Sequence, residues 1–301
     1  MRSEIAVVGA NGFIGRRVSE SLGERTGITV AQHVRRHPDE SPTGFDLREP
    51  SSVLATLGRP LTVVHAASYV GSDVSTALEV NVIGTQNLLA AARTAQVHRF
   101  VYVSTAAVYG RGPFHERNER SLAIAPASVL SQTRAQAEQL VLDAGGIVVR
   151  PHLVVGAGDK WVLPTIARLI KALGSHIDEG IALHSTIHVR ELGEVVAWLA
   201  THPDIAPGAY NASTKVPTSA RVLTKWAETA DPSVSPAGSL SLSSAQSSLD
   251  ENAFLRNAVN LLGVHHTFDI SKLLASGYEP PESETGLDRG DLAWYERSLA
   301  H

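Results

Sequence analysis

The stretch Gly9-Ala10-Asn11-Gly12-Phe13-Ile14-Gly15 constrains this chain more than any other. It follows the apolar run Ile5-Ala6-Val7-Val8 and leads into a helical pattern from Gly15 to Arg25. A strand, a glycine-rich turn and a helix in that order build a phosphate cradle. Each glycine has its own task. Gly9 turns the chain off the strand, Gly12 lets a pyrophosphate approach bare backbone, and Gly15 lets the helix sit close on the strand. The helix start then offers unpaired N–H groups and a partial positive charge. The spacing is G-x-x-G-x-x-G rather than G-x-G-x-x-G, so alone the stretch also fits a turn without a ligand.

The pattern around it repeats. Apolar runs at Ile5–Val8, Ile28–Val34, Leu61–Ala67, Phe100–Ser104 and Ile147–Arg150 alternate with helical patterns at Gly15–Arg25, Ser51–Leu57, Val74–Ala95 and Ser128–Asp143. Continuous apolar strands separated by helices predict an α/β fold, a doubly wound parallel sheet of the Rossmann type. Ligands of such sheets bind at the carboxyl ends of the strands. The second half is less regular, with helices at Trp161–Leu173, Glu191–His202, Thr218–Thr229 and Asn252–Leu262 and a short strand at Ala209–Asn211. We expect a dinucleotide-binding domain over 1–155, with 186–214 returning to it. A smaller, discontinuous substrate-binding region takes 156–185 and 215–301. Within it the serine-rich stretch 231–248, with two prolines and one glycine, reads as a lid-like loop.

The 301 residues are 43% hydrophobic and 19% charged, enough for a sizeable core. A net charge of −4, with both signs mixed, gives no nucleic-acid footprint. The absence of cysteine removes disulfides and thiolate chemistry. Neither a signal peptide nor a membrane span is read, so the expected location is cytoplasmic. No metal-ligand pattern is read. The expected partner is a small molecule, and the expected state is a monomer or homodimer.

Further motifs fall at strand ends. His33-Val34-Arg35-Arg36 follows the second strand, where guanidinium groups suit a ribose 2′-phosphate and point to NADP(H). Asp46 and Leu47 offer a carboxylate and an apolar side chain for an adenine edge and face. Then come His65-Ala66-Ala67, the helix motif Asn81 to Leu89, Val101-Tyr102-Val103-Ser104-Thr105-Ala106-Ala107-Val108-Tyr109, Arg150-Pro151-His152-Leu153 and Ile187-His188-Val189-Arg190. In this order, over nearly the whole chain, they resemble the extended short-chain dehydrogenase/reductases of the NAD(P)-dependent epimerase/dehydratase group.

That resemblance implies roles. Gly9, Gly12 and Gly15 take the pyrophosphate turn, lined by Asn11, Phe13 and Ile14. Arg35 and Arg36 take the 2′-phosphate, Asp46 and Leu47 flank adenine, and Ala66 and Ala67 carry the cofactor. Ser104 and Thr105 face nicotinamide, Thr105 as the carbonyl-orienting hydroxyl. Pro151 and Leu153 belong to the stretch that fixes the carboxamide. The catalytic helix departs from the family. Glu138 sets the register, which puts Leu130 at the family tyrosine and Arg134 at the family lysine. Leucine cannot donate a proton; arginine can hold ribose but relays protons poorly. Loss of a placed acid lowers the rate about 10²- to 10⁴-fold. Candidate replacements are Ser104, Thr105, Tyr109, Ser68, Tyr69, His65 and His152. A substrate that carries a phenol beside its ketone could also supply the proton itself. The paired loss is similar to atypical ketoreductases of aromatic-polyketide, angucyclinone-type antibiotic pathways, which implies an aromatic ketone substrate. A non-catalytic NADP(H)-binding protein and a nucleotide-sugar epimerase or dehydratase are the alternatives.

Overall fold

The computed structural model describes residues 3–34, 45–249, 251–281 and 286–300. The first half runs β1 (Ser3–Val8), α1 (Phe13–Gly23), β2 (Ile28–His33), α2 (Pro50–Thr56), β3 (Thr62–His65), α3 (Val74–Ala77), α4 (Gly84–Thr94), β4 (Arg99–Val103), β5 (Phe114–Arg117), α5 (Val129–Asp143) and β6 (Ile147–Pro151). After β7 (Leu153–Val155), α6 (Val162–Leu173), β8 (Ser175–Ile177) and β9 (Leu183–His184), the chain returns through β10 (Thr186–His188) and α7 (Val189–Thr201) to β11 (Gly208–Ala212).

Six parallel strands form the main sheet in the order β2-β1-β3-β4-β6-β11. Alternation along each strand feeds two cores. Ile5, Val7, Val64, Val101 and Val149 join α1 and α7 on one face, while Ala6, Val8, Val63, Tyr102 and Val148 join α2, α4 and α5 on the other. The chain leaves β1 for β2 on one side and then crosses to β3 on the other. That reversal opens a crevice between the carboxyl ends of β1 and β3.

The expected single helix from Val74 to Ala95 is broken by a π-helical turn, Leu78–Ile83. The extra residue in that turn is absorbed where Asn81 is buried. Its side chain accepts from Tyr69 N–H (2.8 Å) and Ser68 Oγ (3.0 Å) and donates to Tyr69 O (3.2 Å) and Thr133 Oγ1 (3.1 Å). One amide thus fixes the loop after β3 against α5.

A third core lies under α6, with β12 (Thr218–Ser219), α8 (Ala220–Ala230), β13 (Gly238–Leu240), α9 (Leu242–Ser247) and α10 (Ala253–Leu262) built around it. The serine-rich stretch expected as a loop contains β13, paired with β8, and α9. Val234 and Ala245 bury fully in this core. The serines misled because several serve as local caps: Ser241 Oγ accepts the Ser244 N–H that starts α9. The chain ends through β14 (His266–Phe268), α11 (Ser271–Ala275) and α12 (Arg289–Leu299). Ile270, Leu273 and Tyr278 pack into the first core, so this part of the tail joins the main sheet rather than the third core. No described helix is long and apolar enough to cross a membrane.

Candidate active site

The crevice at the β1–β3 reversal is a cavity of about 460 Å³. Gly9 turns off β1 at φ +86°, a conformation that favours glycine. A side chain there would also meet the backbone nitrogen of Ala67 at 2.7 Å. Gly15 is a packing glycine: a Cβ would lie 2.1 Å from the carbonyl oxygen of Gly9. Gly12 differs, since its Cβ would meet only Gly9 O, at 3.1 Å. The start of α1 has no side-chain cap and no acidic residue in its first turn. Its first N–H groups therefore face the cavity without an intrahelical acceptor. This uncapped, unobstructed helix start fits a dinucleotide pyrophosphate.

Gly9, Asn11, Gly12, Phe13, Ile14, Asp46, Leu47, Ala66, Ala67 and Arg134 all line the cavity. Asp46 forks with Arg48, whose Nη2 lies 2.6 Å from Oδ2, and the exposure of that pair keeps it weak. Leu47 is held from α4: its carbonyl accepts from Asn87 Nδ2 at 2.8 Å, and Gly84 leaves room for its side chain. Arg134 reaches the cavity from α5, donating from Nε to Ser68 Oγ and from Nη1 to the Ser104 carbonyl, both at 3.3 Å. Arg35 and Arg36 lie outside the described residues.

Other candidates stand elsewhere. Ser104 is buried with its hydroxyl unpartnered. Thr105 is half-buried and its Oγ1 accepts from Ala107 N–H at 3.2 Å, which leaves its own proton free to donate. Leu130 is the second residue of α5, one turn before Arg134. Pro151 closes β6, and Leu153 is buried in the third core rather than at the cavity, because the chain bends at His152.

Tyr109, one of the catalytic candidates, is tied into the framework. Its phenol donates to Asn211 Oδ1 (2.8 Å) and accepts from Arg150 Nη1 (3.0 Å), and its ring stacks on Phe268. Burial pushes its pKa up, which weakens it further as an acid. His65 is likewise locked. Burial first, and Arg134 second, hold its pKa down at about 3. Thr85 Oγ1 spends its proton on Asn81 O, so His65 Nε2 donates to Thr85 at 3.1 Å. His152 is kept neutral by burial and by His266 and His184 beside it.

Sequence reasoning gave no role to Phe45 and Trp161. Phe45 tilts against His33 at 5.2 Å, and Trp161, 55% exposed, stands at the cavity in front of α6. No local signal marked either, since Trp161 reads in the sequence as the first residue of a helix.

Residues 5–213 match the pattern of the NAD dependent epimerase/dehydratase family. The chain belongs to this family, and so to the extended short-chain dehydrogenase/reductases. It is 35% identical over 208 residues to a 4-hydroxy-2-methyl-3-oxo-4-farnesyl-3,4-dihydroquinoline-1-oxide ketoreductase of Stigmatella aurantiaca, covering 62% of this chain and 61% of that one. It is 30% identical over 188 residues to a 2-alkyl-3-oxoalkanoate reductase of Stenotrophomonas maltophilia, covering 54% of each. The matches thus span little more than half of these relatives. The fold is shared with RMD from Pseudomonas aeruginosa, solved with NADPH, at a TM-score of 0.70 and 19% identity over 99% of this chain and 100% of that one.

Proposed function

We propose that this protein is an NADPH-dependent ketoreductase that reduces an aromatic, angucyclinone-like polyketide ketone, and that the substrate's own neighbouring phenol supplies the proton. The observation that carries this reading is Leu130 standing where the family places its tyrosine, one turn from a cavity-lining Arg134. Two relatives named as ketone reductases agree with the reaction class.

NADPH, when bound, supplies hydride to the carbonyl carbon. The residues at the start of α1 and the Ala66-Ala67 step hold its phosphates and ribose, with Arg35 and Arg36 selecting the 2′-phosphate. Arg134 holds the ribose hydroxyls and adds positive charge near the developing alkoxide. Thr105 donates a hydrogen bond to the carbonyl oxygen and does not give up its proton. A phenol next to the ketone then passes its proton to that oxygen, and delocalisation into the ring spreads the charge left behind. Tyr69 and Trp161 give the cavity aromatic surface suited to a flat substrate.

The test is the loss of NADPH near-ultraviolet absorbance with a hydroxyaryl ketone and with its methyl ether. The hydroxy ketone is expected to be reduced, faster with NADPH than with NADH, and the ether to resist. An ether reduced at the same rate overturns the substrate-derived proton. Tight cofactor binding without oxidation across a panel of aryl ketones favours a non-catalytic binding protein instead. Turnover of a nucleotide sugar favours an epimerase or dehydratase.

A further inference from the structure

Three imidazoles outside the cavity meet in the fold. His152 follows β6, His184 ends β9 and His266 opens β14. Strand pairing sets His266 directly against His184. One nitrogen from each ring lies within 4.8 Å of the other two. Among the described residues no carboxylate joins them, and the chain has no cysteine to compete.

The hydrogen bonds settle two of the three tautomers, because a carbonyl can only accept. His184 Nε2 donates to Leu262 O at 3.2 Å, so its Nδ1 is a bare lone pair, buried without a partner. His266 Nδ1 donates to Val264 O at 2.7 Å, so its Nε2 is the acceptor, and it takes a long bond from Gly112 N–H at 3.3 Å that a metal ion would displace. His152 Nε2 is also buried and unpartnered. A backbone carbonyl on the far nitrogen is the way metal-binding histidines are oriented.

We propose that His152, His184 and His266 bind one divalent transition-metal ion, zinc before the others. Imidazole nitrogen suits zinc, and three protein ligands leave a fourth position for water. A zinc–nitrogen bond of about 2.0–2.1 Å asks each ring to close inward by roughly an ångström or less. The ion ties the β6–β7 bend to β9 and β14, and so stabilises the fold by binding only the folded state. This site stands independently of the ketoreductase reading.

The test uses the full chain without a histidine tag, stripped with chelator. It is titrated with zinc by calorimetry and with cobalt(II) by visible absorption. The expected result is one ion per chain, a tetrahedral cobalt spectrum, and an unfolding temperature that rises with zinc. His152→Ala and His184→Ala each weaken binding at least about tenfold and remove the thermal shift. Replacing the nearby pair His115 and His265, whose rings lie 4.9 Å apart, leaves binding intact. No binding by the wild-type chain overturns the proposal, as does undiminished binding in the triad variants. Should those variants fail to fold, zinc-soaked wild-type crystals decide. Anomalous density among the three rings supports the site; a water there overturns it.

Discussion

The guanidinium of Arg150 lies against the carboxylate of Glu138, with Nε 3.1 Å from each oxygen and Nη2 2.5 Å from Oε2. Both side chains are at most 4% exposed. The pair joins β6 to the helix that carries Leu130 and Arg134, and through Tyr109 and Asn211 it reaches β11. Burial alone would lower the Arg150 pKa, but the bonds and charge of Glu138 outweigh it and the net shift is upward. Arg150→Met strands a buried carboxylate and is expected to destabilise the protein by about 3–5 kcal/mol. Tyr109→Phe removes only part of the network and is expected to cost about 1 kcal/mol, with kcat near the wild-type value. Chemical denaturation and steady-state kinetics check both. A large loss of kcat in folded Tyr109→Phe would return that phenol to catalysis.

The two inner glycines separate folding from binding. Gly15→Ala drives a methyl group into the Gly9 carbonyl, so a loss of roughly 1–3 kcal/mol or more is expected. Gly12→Ala meets only the Gly9 carbonyl oxygen, at 3.1 Å, which must give by a few tenths of an ångström, so it is expected to lose less stability than Gly15→Ala. Its methyl group occupies the approach to the α1 N–H groups, so NADPH affinity falls at least about tenfold. Thermal melts and cofactor titration separate the two effects. Normal NADPH affinity in Gly12→Ala would move the pyrophosphate away from this turn.

These glycines also show what a sequence makes legible. Gly12 and Gly15 each face the Gly9 carbonyl a few residues away, and Gly9 turns the chain off β1, so the spacing of this turn is legible. The same holds for Ala66, one residue beyond the end of β3, and for Arg134, placed on α5 by its spacing from Glu138. Tyr109 looked catalytic because it follows the Ser104-Thr105 strand end. Its role as framework depends on Arg150 and Asn211, distant in the chain and unmarked locally. The histidine triad depends on β9 pairing with β14, a register that no local periodicity records. The serine-rich segment failed differently, since cap and loop serines share one composition.

Glu191 gives a pH dependence away from the cavity. It stands in the first turn of α7, with Oε1 buried and unpartnered. Burial raises its pKa from 4.5 to about 7. A raised carboxyl pKa means that the folded chain holds a proton which the unfolded chain has released. Its contribution is therefore fully present below pH 4.5 and is lost as the pH rises to about 7. Glu191→Gln cannot ionise, so its unfolding temperature is expected to exceed that of the wild type at about pH 8. The difference should shrink to nothing at about pH 4, with kcat unchanged. Equal melting curves at both pH values would show that Glu191 ionises freely in the folded state.

The start of α5 is well formed despite its unusual residues. Ser128 Oγ accepts from Ser131 N–H at 3.1 Å and Ser131 Oγ accepts from Ser128 N–H at 3.0 Å, a reciprocal cap. Leu130 and Arg134 are spaced i, i+4 on this helix and so share a face. The missing phenol is therefore a chemical change on an intact scaffold, and it is reversible. Leu130→Tyr places an acid one turn from Arg134, and adding Arg134→Lys restores the family pair. If the substrate's phenol is what the wild type relies on, the double variant gains turnover of the methyl ether. The gain should approach the 10²- to 10⁴-fold range of a placed general acid at most. Turnover of the free phenol should change far less, because that substrate already brings its proton. A double variant that binds NADPH normally yet gains nothing on the ether would mean that proton supply is not what the ether lacks.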